Sequence, residues 1–288
     1  MTLKQFYGGA LSSLLALALS LPFTAVTQAE PDNNTLSVDG VEISTDVAAP
    51  ADSPFDRLYS GWRFRTSETQ ALQMDDFDNP GFANVDAGAE LWKTVDGSEG
   101  KSCATCHGDA SESMKGVRAN MPKWSEKAGK PQALENHINT CRKDRMGAET
   151  WKWESGNMLG MTAFIGLQSR GVPVKVQTDG PMQPWLEKGK DLYYTRVGQL
   201  DMSCANCHET NFGKQIRSDH LSQGQINGFP VYRLKWGGMG SIHRRFKGCM
   251  DNIRATPFKR GSDEFLALEL YVASRGMGLS VETPAVRN

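Results

Sequence analysis

Two five-residue runs in this chain set a pair of thiols beside an imidazole. They are Cys103-Ala104-Thr105-Cys106-His107 and Cys204-Ala205-Asn206-Cys207-His208, 101 positions apart. Two thiols spaced in this way can add to the two vinyl groups of one porphyrin. The His that follows then lies beneath the ring and offers a nitrogen to iron. Each run is the attachment signature of a c-type haem, so the sequence predicts two covalently bound haem c groups. Cys103, Cys106, Cys204 and Cys207 are the attachment residues, and His107 and His208 are the first axial ligands. A Cys-x-x-Cys pair can also be a thioredoxin-like redox couple or half of a zinc site. No βαβ pattern surrounds either pair, and zinc would have to use Cys103, Cys106, His107 and Cys141. The repetition of the full five-residue match favours haem.

The far side of each iron decides what the haem does. A common electron carrier would use Met146, Met158, Met239 or Met250, and bis-His ligation could use His137, His220 or His243. Most of the 12 methionines should be core filler. The two remaining cysteines are more unusual. Cys141 lies 34 residues after His107 and Cys249 lies 41 after His208, each in the long loop of its own half. A Cys141–Cys249 disulfide is open to an exported protein. It does not explain why each half has one Cys at a similar place, whereas two axial thiolates do. Thiolate ligation donates charge to iron and lowers its potential, which suits chemistry better than high-potential relay.

The two cysteines differ in surroundings. Residues 232–260 hold eight basic side chains, including Arg233, Arg244, Arg245 and Arg254, against the single acid Asp251. The equally long window 124–152 holds six basic and four acidic residues. Concentrated positive charge stabilises a thiolate and attracts anions. Cys249 is therefore the better candidate to meet a small anionic substrate. The blander reading is a basic face that docks an acidic partner.

The elements that must hold these groups also repeat. Gly88-Ala89-Glu90-Leu91-Trp92 precedes the first motif, and Gly189-Lys190-Asp191-Leu192-Tyr193 precedes the second, again 101 positions on. Each reads as a helix whose Gly admits another helix and whose aromatic fills the contact. Apolar helices over 158–167 and 265–273 lead to Ser169-Arg170-Gly171 and Ser274-Arg275-Gly276. The Gly suits a C-cap and the Arg suits the helix dipole. The order helix, motif, long loop, helix is that of cytochrome c. The expected fold is all-α, with two cytochrome c-type domains related by an internal repeat. The first spans 55–175 and the second, with the active site, 176–288. The stretch 172–184, with three Pro, is the expected linker.

The N-terminus reads as a signal peptide over 1–29, with Lys4 before an apolar run and Thr27-Gln28-Ala29 as the cleavage site. Residues 30–54 are poor in large apolar groups and read as an extended or poorly ordered arm. No later run is long enough to span a membrane, so the mature chain is expected in the periplasm, without a membrane span. The net charge of −1 argues for no nucleic-acid partner.

With Cys141 preceding Arg145, both haem motifs, and Arg244-Arg245-Phe246-Lys247-Gly248-Cys249-Met250-Asp251-Asn252-Ile253-Arg254-Ala255, the chain resembles the SoxA family in its dihaem form. SoxA is the larger subunit of the SoxAX cytochrome, an L-cysteine S-thiosulfotransferase of periplasmic sulfur oxidation. The haem motifs are generic; the segment around Cys249 is specific. The resemblance implies axial pairs His107 with Cys141 and His208 with Cys249. It implies Cys249 as the catalytic cysteine, able to carry a persulfide, and Arg245 as a substrate-binding residue. Thiosulfate would be conjugated oxidatively to a cysteine of the SoxYZ carrier protein. Two electrons would pass to an acceptor cytochrome c, and SoxX, a monohaem cytochrome, would be the permanent partner. A cysteine bound to iron is not free to attack. Either the Cys249–iron bond opens transiently or the outer sulfur of a persulfide reacts, and the sequence does not choose. Three rivals predict different sites. A dihaem electron carrier without chemistry of its own predicts Met or His ligation. A dihaem peroxidase needs an open sixth position and a distal acid or base. An assembly subunit needs no reactive thiol.

Overall fold

The computed structural model describes residues 36–288, so the expected signal peptide lies outside the described residues. Ten helices follow in chain order: α1 (Ser67–Met74), α2 (Phe82–Lys93), α3 (Cys103–His107), α4 (Ala110–Ser113) and α5 (Leu134–Cys141). Then come α6 (Gly156–Leu167), α7 (Gln183–Tyr194), α8 (Cys204–His208), α9 (Ile242–Asn252) and α10 (Asp263–Arg275). A π-turn, Arg142–Met146, continues α5.

Two crossings position everything else. At the first, α2 meets α6 so closely that a Cβ on Gly88 would lie 2.2 Å from the Gly160 carbonyl oxygen. At the second, α7 meets α10, and a Cβ on Gly189 would lie 2.0 Å from the Ala267 carbonyl oxygen. These distances are far inside van der Waals contact, so each crossing needs its glycine. The aromatic four residues on from each glycine is buried, as expected: Trp92 in one case and Tyr193 in the other. Two main apolar clusters form around the crossings. One gathers Trp92, Leu134, Met158, Met161 and Ile165. The other gathers Val174, Met182, Tyr193, Phe265 and Leu270.

The all-α expectation is corrected in part. Among the described residues, eleven strands of two or three residues join the helices. The largest sheet has three strands: Val231–Arg233 pairs antiparallel with Gly238–Gly240 and parallel with Ala285–Arg287. Of the two readings of the arm, the described part fits the extended one, and it is packed. Leu36–Val38 and Val41–Ile43 form a hairpin, and Leu36, Val38 and Ile43 are buried with Trp62. Few apolar residues suffice there because alternate strand positions share one face.

The expected linker is stitched down by backbone hydrogen bonds, from Val174 N to Leu279 O (2.9 Å) and from Lys175 N to Ala119 O (2.8 Å). Of the two Ser-Arg-Gly tripeptides, the second caps its helix as expected and the first does not. Gly276 caps α10 with φ −102°, whereas α6 is capped at Gln168, ahead of Gly171. Arg170 pairs with Asp76 (2.9 Å), and Arg275 pairs with Glu209 (2.7 Å) over the Tyr193 ring.

Candidate functional site

Each Cys-x-x-Cys-His run is wound into one short helix by its own neighbours. At α3, Ser102 Oγ accepts from Thr105 N (3.1 Å) and Thr105 Oγ1 accepts from Ser102 N (3.0 Å). At α8, Asn206 Oδ1 accepts from Ser203 N (2.8 Å). Reciprocal caps of this kind satisfy amides that a first helical turn leaves unpaired.

The backbone then ties each motif to a cysteine-bearing helix. Ser98 N and Glu99 N, ahead of the first motif, donate to Gly147 O (3.3 Å) and Met146 O (3.1 Å), just past α5. Gln199 N and Leu200 N, ahead of the second, donate to Arg254 O (3.4 Å) and Ile253 O (3.3 Å), at the end of α9. Cys141 closes α5 and Cys249 lies in the last turn of α9, so each is brought to its own motif. All six cysteines are free, and the alternative Cys141–Cys249 disulfide is not formed.

The two cysteines meet different fields. Burial pushes the Cys141 thiol up, with only Arg145 pulling it down. Burial would also push Cys249 up, but Arg245, the His208 imidazole and Arg233 together bring it down to about 7. Cys204, beside it, is pushed up to about 12, first by burial and then by Cys249. Arg245 stands one turn before Cys249 on α9. Arg233 arrives from the three-stranded sheet, held by the Asn288 carbonyl (2.7 Å) and Asp219 (3.4 Å). Arg65 pairs with the same Asp219 and donates to His220 O (2.8 Å). Arg65, Arg233 and Arg245 lie within electrostatic reach of one another, and one carboxylate serves the first two. That excess of guanidinium charge suits a small dianion.

His208 is oriented from behind. Its Nδ1 lies 2.8 Å from the Ser222 carbonyl oxygen. A carbonyl can only accept, so Nδ1 carries the proton and Nε2 is left for a metal. Gly224 packs against this ring, where a Cβ would lie 2.8 Å from His208 Cγ, and its φ of +79° suits glycine. Two thiols, an imidazole with a free Nε2 and a nearby stabilised thiol form a donor set that fits haem c. Among the described residues no group of three or more His, Cys, Asp or Glu converges as a metal-ion site.

The other ligand candidates fall elsewhere. Met146, Met158 and Met239 are core residues, and Met250 packs at the edge of a core cluster. His243 is fully buried and stacks on Trp153. His220 sits in a two-residue strand, and His137 lies on α5 one turn before Cys141.

Comparison with known proteins adds to this geometry. Residues 87–174 match the SoxA/TsdA cytochrome c domain, a span holding the first motif and Cys141. The L-cysteine S-thiosulfotransferase subunit SoxA of Paracoccus pantotrophus is 52% identical, over 96% of this chain and 97% of that protein. The subunit of the same name from Pseudaminobacter salicylatoxidans is 50% identical, over 96% and 97%. This chain belongs to the SoxA family. A chain of the crystal structure of SoxXA from P. pantotrophus matches with TM-score 0.86 and 52% identity, covering 90% of this chain and 100% of that one. The SoxA resemblance read from residues 244–255 is thus shown, and the cytochrome c character of the fold with it. Among the described residues no helix is long and apolar enough to cross a membrane.

Sequence reasoning missed several members of this SoxA pocket. Arg233 was counted only as one charge in a basic run. Arg65 and the stretch holding Asp219, Ser222 and Gly224 gave no signal, because both lie outside the haem motif and the Cys249 helix in sequence.

Proposed function

We propose that this chain is the thiosulfate-conjugating subunit of a periplasmic SoxAX-type cytochrome, an L-cysteine S-thiosulfotransferase carrying two haem c groups. In this reading residues 55–175 and 176–288 are two cytochrome c-type units related by an internal repeat. The partners are a SoxX cytochrome, the SoxYZ carrier protein and an acceptor cytochrome c. The observation that carries it is the environment of Cys249, the one thiol that three neighbouring groups pull down to about 7.

His107 with Cys141, and His208 with Cys249, would hold the two irons, and Cys103, Cys106, Cys204 and Cys207 would attach the porphyrins. Haem c, when bound, supplies the one-electron steps by which two electrons leave the site. Arg245 and Arg233 hold the anion against Cys249. The Cys249 sulfur bonds to the sulfane sulfur of thiosulfate, with loss of the thiol proton and two electrons. A carrier thiolate then attacks that sulfane sulfur and Cys249 leaves as thiolate, so the thiosulfate group moves to the carrier. The same balance holds if the outer sulfur of a Cys249 persulfide forms the first bond.

Peptide mass spectrometry of protein purified without reductant tests this directly. An extra sulfur atom on Cys249, or a thiosulfate adduct after mixing, is the expected result. A Cys249 that stays unmodified and unreactive would favour the dihaem electron carrier instead.

A further inference from the structure

Glu135 and His243 occupy the same place on two helices. Each is the second residue of its helix, and each precedes a cysteine by six positions: Glu135 before Cys141 on α5, His243 before Cys249 on α9. Six residues of helix span about 9 Å. The starts of these helices approach α10, which contributes Glu269. All three side chains are buried, at 9%, 0% and 3% exposure respectively.

Their polar atoms are incompletely matched. His243 Nδ1 accepts from Gly261 N at 3.0 Å, so the ring proton sits on Nε2. Nε2 stands 3.1 Å from Glu269 Oε2, yet the two are misaligned and neither has a hydrogen-bond partner. Glu135 and Glu269 both line a cavity of about 10 Å³, with Arg118, Thr162 and Ser241 around it. That volume is at the lower limit for one water molecule, and the lining is polar enough to hold it.

We propose that this seam is a proton-binding site, in which Glu135 carries a proton that it shares with Glu269 through one water, joining the start of α5 to α10. Two carboxylates lining one enclosed cavity repel, and one proton relieves that repulsion, with the water carrying the hydrogen bonds between them. Burial is the first cause that pushes the Glu135 carboxyl up, to about 7, and Glu269 adds to it. His243 and Arg118 pull the other way without overcoming burial. Arg118 keeps its charge in the cavity lining, and the other charges around the seam have partners of their own. Arg118 Nε donates to Phe229 O (2.9 Å). Glu154 accepts from Ser241 and lies 3.9 Å from Arg260, and Lys130 pairs with Asp263 (2.7 Å).

The sign follows from linkage. Glu135 binds its proton more tightly folded than unfolded, so its stabilising contribution is full below its ordinary value of 4.5. It is lost as the pH rises through about 7. Loss of the proton sets the start of α5 against α10 and loosens the support of Cys141 at the end of α5. The inference stands apart from the conjugation chemistry, since none of its groups belongs to the Cys249 pocket.

An infrared pH titration of the intact holoprotein tests it. A protonated buried carboxyl band that fades as the pH rises through neutrality, and is missing from Glu135→Gln, is the expected result. No such band in the wild type would overturn the proposal, and this arm holds even if the variant fails to fold. A band that survives in both Glu135→Gln and Glu269→Gln would overturn it equally. In a folded Glu135→Gln protein, denaturant stability should fall less between about pH 5 and pH 8 than in the wild type. An unchanged fall would place the proton elsewhere.

Discussion

Arg245 stands one helical turn before Cys249 on α9, and the same turn of α5 sets His137 before Cys141. A guanidinium is always charged and presents a fork of donors, whereas an imidazole does neither at neutral pH. Two otherwise matched helices therefore offer their cysteines different fields, and the Cys249 thiol is pulled down while the Cys141 thiol is pushed up. Replacing Arg245 by Ala removes a charge-assisted contact of about 1.5–3 kcal/mol, so the thiosulfate requirement should rise roughly 10- to 100-fold. Arg245→Lys should restore part of the loss by returning the charge without the fork. Steady-state rates against thiosulfate concentration check this, and an unchanged dependence in Arg245→Ala would reject the role.

Cys141 lacks the basic surroundings of Cys249, and its loss should be tolerated. Cys141→Ser is expected to change the absorption and paramagnetic resonance spectra of the first haem while leaving most turnover. A dead enzyme whose second haem spectrum is intact would show that the first half takes part in catalysis.

The helix crossings make a matched pair of stability predictions. A Cβ on Gly88 would press on Gly160 O at 2.2 Å, and one on Gly189 on Ala267 O at 2.0 Å. Backbone cannot move aside as a side chain can. Gly88→Ala and Gly189→Ala should each destabilise the protein by about 1–3 kcal/mol, read as a lower thermal midpoint of the holoprotein. If either variant melts with the wild type, that crossing is looser than described.

Gly224 supports His208 from behind, and its φ of +79° is unfavourable for any side chain. Gly224→Ala should displace the imidazole, whose Cγ the new Cβ would approach at 2.8 Å. The expected readout is a changed spectrum of the second haem with the first unaltered. Full retention of both spectra would mean that the Ser222 carbonyl alone fixes the ring.

The chemistry of the attachment motifs was legible in the sequence because it is local. Two thiols and an imidazole within five residues need only one helical turn to act together, and Ser102 and Ser203 supply that turn's caps from the preceding position. Gly88 and Gly189 were legible for a similar reason, since a close crossing needs one small residue on a helix whose period is readable. The segment around Cys249 carried the family. The arm is extended where 36–48 forms short strands, but its packing was not legible, because a strand shows its single buried face with only a few residues.

The sequence by itself thus determined the family, and it singled out the two Cys-x-x-Cys-His runs and one further cysteine in each half. Only the tertiary structure decided what each cysteine faces. Arg233, Asp219 and Ser222 reach the second pocket from two strands and a loop, and Glu135 and Glu269 line one cavity from 134 positions apart in the chain. Electrostatic and hydrogen-bond energies depend on distance through space, and composition along the chain does not record that distance. The two halves share their spacing; the fold makes their thiols unequal.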